Sequence, residues 1–151
     1  MHKPLKYAGC AIVLQEVPYE ISLAFSISGC PHGCPGCHSQ YLWEYEGEYL
    51  LHNLRHEIES HPYITCVCFF GGDQNMAELA EALKIVKKEY KLMTCVYSGC
   101  NDEEIFEPYL YLIDWLKIGC YNQELTTNDN IQYGVKLATS NQHLYKKGVD
   151  Y

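Results

Sequence analysis

Apolar and polar positions recur with two different periods along this chain. Ile21-Ser-Leu-Ala-Phe-Ser-Ile27 alternates with period two, which predicts a strand, and it stops at the loop chemistry of Gly29-Cys30-Pro31. From about Glu48 to Ser60 the apolar residues Leu50, Leu51, Leu54 and Ile58 form a helical stripe. Ile64-Thr-Cys-Val-Cys-Phe-Phe70 is a β-branched and aromatic run ended by Gly71-Gly72, the mark of a buried strand. Met76, Leu79, Ala80, Leu83 and Val86 return to helical spacing. Leu92 to Tyr97 is another short strand, closed by Ser98-Gly99. Asp102-Glu103-Glu104 opens a helix, with acids in the first turn where the helix dipole favours them. Trp115 to Ile118 predicts one more strand, Asn122 to Asn130 reads as polar loop, and the last twenty residues carry no clear period.

Strands alternating with helices imply right-handed crossovers and a parallel sheet, so the fold class is α/β. In such sheets, sites form beyond the carboxyl ends of the strands. Three loops fall there: Cys30 to Cys37, Gly71-Gly72-Asp73, and Tyr97-Ser98-Gly99. A parallel sheet would bring all three to one rim. The chain has no repeat, linker or low-complexity segment, so residues 1–151 read as one domain.

Composition narrows the function classes. Hydrophobic residues make up 48% and charged residues 20%, which excludes disorder. No apolar run approaches about 18 residues, so no transmembrane helix is expected. Eleven Lys and Arg against nineteen Asp and Glu give a net charge of −8, which argues against a nucleic-acid partner. The nine cysteines are an odd number, unsuited to a complete disulfide framework. Lys3 and Lys6 precede a short apolar run, Ala8 to Leu14, that superficially resembles an export signal. It lacks a small-residue cleavage site and meets Gln15 and Glu16 at once, so the expected location is cytoplasmic, with reduced thiols.

The strongest chemical feature is Cys30-Pro-His-Gly-Cys34-Pro-Gly-Cys37-His38. Proline and glycine keep this backbone out of a helix, and such a loop can wrap a compact inorganic centre. Three thiolates on a four-iron cube would leave one iron open, whereas stable electron carriers normally use four cysteines. An open iron can take a substrate that chelates through an amine and a carboxylate. Alternatively, Cys30, Cys34, Cys37 and His38 could hold structural zinc, or the thiols could be unliganded; ligand chemistry alone leaves these open.

Cys-x₃-Cys-x₂-Cys resembles the signature of the radical S-adenosylmethionine (SAM) enzymes. The wider string from Ser28 to Trp43 is similar to one branch, the activating proteins of the anaerobic ribonucleoside-triphosphate reductase. That family is short, has Gly before its third cysteine and His or Tyr after it, and places Gly-Gly-Asp after its next strand, as in Gly71-Gly72-Asp73. Near its end it carries a small residue followed by Asn-Gln, matched by Ser140-Asn141-Gln142. This chain departs from the family at Ser39, Gln74 and His143, where the family usually has Asn, Pro and Arg. None of these is a cluster ligand.

The resemblance implies a partial, open (β/α) barrel of radical SAM type with a mostly parallel sheet. It implies that Cys30, Cys34 and Cys37 ligate a [4Fe–4S] cluster with SAM chelating the fourth iron. Gly36, Cys37, His38, Gly71, Gly72, Asp73 and Ser98 would then contact the cofactor. No protein acid or base is implied, because the cluster and SAM carry the chemistry. The implied partners are a low-potential electron donor and the glycine-containing loop of the large reductase subunit, on which a glycyl radical is generated. The alternatives are an activase for another glycyl-radical enzyme, a small-molecule radical SAM enzyme, and, from another class, a non-catalytic zinc or iron–sulfur module.

Six cysteines lie outside the motif. Cys66, Cys68 and Cys95 fall in strand patterns and read as core; Cys100 follows the Ser98-Gly99 rim and Cys120 follows a strand, where a second cluster or a redox thiol is the alternative to no role, and Cys10 carries no assigned role. His52 and His56 have i, i+4 spacing and read as a solvated helix face. His32 reads as exposed. Tyr41, Trp43, Tyr45 and Tyr49 read as packing beneath the cysteine loop or as a docking surface.

Overall fold

The computed structural model describes residues 3–31 and 40–151. A seven-stranded mixed sheet organises them. Its strands are β1 (Lys6–Val13), β2 (Ser22–Ile27), β3 (Glu48–Tyr49), β4 (Cys66–Phe70), β5 (Met93–Tyr97), β6 (Trp115–Ile118) and β9 (His143–Lys146), in the order β3-β1-β2-β4-β5-β6-β9. A separate two-stranded hairpin joins β7 (Ile131–Gln132) to β8 (Val135–Lys136). The four central strands β2, β4, β5 and β6 run parallel. Antiparallel strands border them on both sides, β1 and β3 at one edge and β9 at the other.

The parallel strands come from the segments whose patterning predicts them. The borders do not. The apolar run that resembles an export signal is β1, hydrogen-bonded along β2. The unassigned tail supplies β9, which covers the exposed edge of β6.

Alternation along each strand divides the core into two layers. Leu23, Phe25, Ile27, Val67, Phe69, Val96, Leu116 and Ile118 face the helical side. Phe25 and Phe69 stack there, with ring centroids 5.7 Å apart. Helices α1 (Leu50–Glu59) and α2 (Met76–Lys84) cover this face with the fully buried Leu50, Leu54, Leu79 and Leu83. Asn75 caps α2, its side chain accepting from the Glu78 N–H. The helix expected after Asp102 is a 3₁₀ segment, Glu103–Leu112. Pro108 lies within it and has no N–H to donate to an α-helical ladder.

The opposite layer holds Ala24, Cys66, Cys68, Cys95 and Trp115 under Val17, Val135, Leu137 and Leu144. The core reading of the three strand cysteines therefore agrees with their burial. His52 and His56 are exposed on α1, as their spacing suggests. Among the described residues, no helix is long and apolar enough to cross a membrane.

Candidate functional site

The register of the parallel strands fixes the floor of a cleft. Ser26 pairs with Phe70, Phe70 with Tyr97, and Tyr97 with Lys117. These four residues form one row across the carboxyl ends of β2, β4, β5 and β6, and all four line a cavity of about 390 Å³. That volume lies within the range of about 300–1,000 Å³ common for small-molecule sites. Phe70 and Tyr97 give the floor an aromatic surface, with centroids 5.1 Å apart. The Lys117 ammonium lies 5.2 Å from the Tyr97 ring centroid. Burial pushes the Tyr97 phenol far up, and its hydroxyl donates to the Glu16 carbonyl.

The loops after the strands form the walls. Cys30, Gly71, Asp73, Ser98, Gly99 and Gly119 line the same cavity. The rim deduced from the strand pattern is thus a single place. Cys34, Gly36, Cys37, His38 and His32 lie outside the described residues, so the geometry of the motif is described only at Cys30.

Cys30 is half-buried, and its N–H donates to the Leu42 carbonyl at 2.8 Å. Gly29 is held by the Glu44 carbonyl and by the Tyr45 ring, which a Cβ on Gly29 would meet at 3.2 Å. Of the aromatic residues after the motif, Tyr45 therefore packs against the start of the cysteine loop, while Tyr49 is exposed. Trp43 also lines the cleft while staying 40% exposed.

Gly71 and Gly72 turn the chain off β4 with φ of 104° and 109°, a region that side chains disfavour. A Cβ on Gly72 would press on Leu79 at 3.1 Å. The Gly71 N–H donates to the Tyr97 carbonyl at 2.7 Å. Asp73 opens a 3₁₀ turn, Asp73–Asn75, at the cleft wall. Ser98 is buried; its hydroxyl accepts from the Cys100 N–H at 3.0 Å, so it shapes the turn after β5 as well as lining the cleft.

Two residue sets carry more of the site than the sequence pattern assigns them. Gln74 departs from the resembled family, yet it ties two loops together. Its side-chain oxygen accepts from the Gly72 N–H at 3.2 Å, and its Nε2 donates to the Ser28 carbonyl at 3.0 Å. The Asn-Gln pair near the end clamps the loop after β6. Gln142 Nε2 donates to the Gly119 carbonyl, Gln142 Oε1 accepts from the Thr139 N–H, and Asn141 Nδ2 donates to the Cys120 carbonyl. A side chain with both donor and acceptor, placed near loop ends, was the available sequence signal.

The three strand cysteines are poor candidates for chemistry. Cys66, Cys68 and Cys95 are fully buried, and burial pushes their thiols up, away from the reactive thiolate.

A rim cysteine beside a glycine-walled cleft suits a metal–sulfur centre, because thiolates are the usual ligands of such clusters and glycine lets backbone approach closely. Comparison with known families agrees. Residues 21–144 match the family described as 4Fe-4S single cluster domain, a stretch running from the start of β2 into β9. No curated protein and no solved structure matches the chain. With most of its length matched, the chain belongs to the 4Fe-4S single cluster domain family.

Proposed function

We propose that this iron–sulfur protein is a radical SAM activase that installs a glycyl radical on an anaerobic ribonucleoside-triphosphate reductase. The observation that carries the reading is the convergence of Cys30, Gly71, Asp73 and Ser98 on one cleft at the carboxyl ends of the parallel strands. In this reading the central strands and their helices are a partial, open (β/α) barrel, and Cys30, Cys34 and Cys37 hold the cluster. When bound, the cluster and SAM supply reductive cleavage to methionine and a 5′-deoxyadenosyl radical, which abstracts hydrogen from a partner's glycine.

The chain's own residues bind and orient. Gly71 and Gly72 present backbone without side-chain bulk to the methionine end of SAM. Gly36, His38, Asp73 and Ser98 complete its contacts. The Phe70 and Tyr97 rings, tilted 52° to each other, offer apolar ring faces for a purine to pack against. Lys117 brings a positive charge to a site that takes a carboxylate-bearing ligand.

The test is anaerobic. Protein reconstituted with iron and sulfide is reduced with dithionite, given SAM, and assayed for 5′-deoxyadenosine beside a Cys34→Ala control. Release by the native protein alone is expected. A four-iron protein that releases none would sink the activase reading, and one zinc per chain in place of iron would replace it with a metal-binding module.

A further inference from the structure

A second cavity, of about 950 Å³, opens beside the first. Tyr97, Lys117, Tyr121 and Gln142 line both, so the floor of one runs on into the other. Consecutive stretches of chain form its sides: residues 14–19, in the loop between β1 and β2, and residues 134–138, which contain β8. Val135 and Leu137 are buried in the Cys66–Cys95 layer of the core while Lys136 and Ala138 are exposed, yet the whole stretch lines the cavity. The cavity therefore follows the edge of this strand and not one face of it. That edge is open, since β7 is the one strand neighbour of β8 among the described residues. The opposite side carries apolar groups that the fold does not bury: Tyr19 is 98% exposed and Leu14 66%. Tyr19 holds φ at 65°, in a turn closed by the Glu20 N–H on the Val17 carbonyl at 3.3 Å. It follows Pro18, at the turn position that favours glycine or asparagine. The Tyr97 hydroxyl donates to the Glu16 carbonyl and ties this side to the shared floor. The charged side chains lining the cavity are Lys117, Lys136 and Glu16, an excess of cation in a chain of net charge −8.

We propose that this trench is the docking groove for an extended segment of a partner polypeptide, which lies between residues 14–19 and β8 and passes over the shared floor into the cofactor cleft. This rests on the activase reading and names where its protein substrate is held. The observations favour a polypeptide over a small ligand. An open strand edge offers backbone N–H and C=O groups with which an extended peptide pairs. Tyr19 and Leu14 stand out in solvent, where a small molecule inside the cavity would leave them wet and the body of a protein would cover them. The continuous floor lets one chain reach from the trench to the cleft. The lysine excess adds a preference for a segment that bears a carboxylate.

The test uses anaerobic, cluster-loaded protein and the purified large subunit of the reductase. Hydrogen exchange followed by mass spectrometry should slow in residues 14–19 and 134–138 when the subunit is added, and should not change there with SAM alone. Tyr19→Gly removes the ring and suits the left-handed turn, so it keeps the fold, as thermal melting will show. Its dissociation constant for the subunit, by biolayer interferometry, should rise about tenfold. Lys136→Glu should weaken binding as well, and its effect should shrink in about 0.5 M salt. Equal affinity of native and Tyr19→Gly protein would overturn the groove. So would protection by SAM alone, protection produced by a second copy of this chain, or no binding of the subunit. Release of 5′-deoxyadenosine by the native protein without the subunit is assayed in parallel and judges the activase reading separately. Release without protection keeps the activase and removes the groove; protection without release does the reverse. The exchange map is read on native protein and stands even if a variant does not fold.

Discussion

Gln142→Ala tests whether the Asn-Gln pair holds the cleft wall. The side chain is 5% exposed and bridges two segments, accepting from the Thr139 N–H at 3.1 Å and donating to the Gly119 carbonyl at 3.3 Å. Alanine removes both bonds and leaves two backbone groups without these partners where little water reaches. Each such orphan costs about 1–3 kcal/mol, and both together about 2–4 kcal/mol once partial relaxation of the loop is allowed. Against a total stability of about 5–15 kcal/mol that is a large fraction. For a chain of this size it corresponds to a fall in Tm of about 5–15 °C. Urea unfolding followed by circular dichroism should show a lower midpoint with an unchanged slope, since the buried surface is nearly the same. Gln123→Ala is the control: Gln123 is exposed, and its substitution should change stability by no more than about 0.5 kcal/mol. Because Gly119 and Tyr121 line the cleft, the SAM binding proposed above should also weaken in Gln142→Ala, while the control should retain it. A Gln142→Ala midpoint indistinguishable from that of Gln123→Ala would refute the argument.

Three further outcomes are expected. Arg55 grips both carboxylate oxygens of Glu89 at 2.9 and 2.8 Å and holds that carboxyl below its ordinary range. A lowered folded-state value means the contribution is present above the unfolded value and lost as pH falls through the folded one. The difference in urea midpoint between native protein and Arg55→Gln should therefore shrink on acidification and also in about 0.5 M salt, because the pair is exposed and screened. Alkylation of folded protein at pH 8 should spare Cys66, Cys68 and Cys95 and reach them only after unfolding, as intact mass will show. Lys117→Met keeps an apolar stem against the Tyr97 ring but drops the charge; on the proposed reading, SAM affinity of cluster-loaded protein, measured by equilibrium dialysis, should fall about tenfold.

The strands that build the cleft were legible because burial on both faces forces long apolar runs, and glycine ends them where the chain must turn. Ile21 to Ile27, Ile64 to Phe70 and Leu92 to Tyr97 contain β2, β4 and β5 within one or two residues. The antiparallel bordering strands were not legible. β1, which pairs with β2 along its length and with the two-residue β3 at its start, carries a glycine and a lysine that weaken its pattern, and the edge strand β9 is four residues of mixed character. Pairing in both cases is decided by what lies beside the strand, not by local preference. The rim was legible from spacing, since parallel strands send their following loops to one side. The floor row was not, because register across four strands is invisible in a single segment. The 3₁₀ segment after Asp102 shows a local conflict: acidic residues and apolar spacing favour an α-helix, and Pro108 denies the ladder one donor.

The clamps around the cleft share a chemical type, and that type bears on how the site could be tuned. Gln74 joins the Gly72 turn to Ser28, Asn101 and Asn141 hold the two backbone groups of Cys120, and Gln142 holds Gly119. All four are neutral side chains carrying both a donor and an acceptor, so one residue can satisfy an N–H on one loop and a C=O on another. A carboxylate or a lysine in the same positions could do only one of these and would add a full charge near a cluster whose potential depends on the surrounding charge and hydrogen bonds. Neutral clamps position the loops without setting that field. The field is then left to groups that face the cleft, Lys117 and Asp73 among the described residues, and to the ligand itself. On this argument Gln74→Glu, at the most central clamp, should do two separable things. It keeps the acceptor for the Gly72 N–H but loses the donor to Ser28, loosening the loop, and it places a negative charge beside the start of the cysteine motif. Loosening alone would lower thermal stability and leave the cluster midpoint potential unchanged, whereas the added charge should move the potential to more negative values. Gln74→Ala, which loosens without charging, separates the two: the potential should shift in the glutamate variant and not in the alanine one, and equal potentials in both would show that charge at this clamp does not reach the cluster.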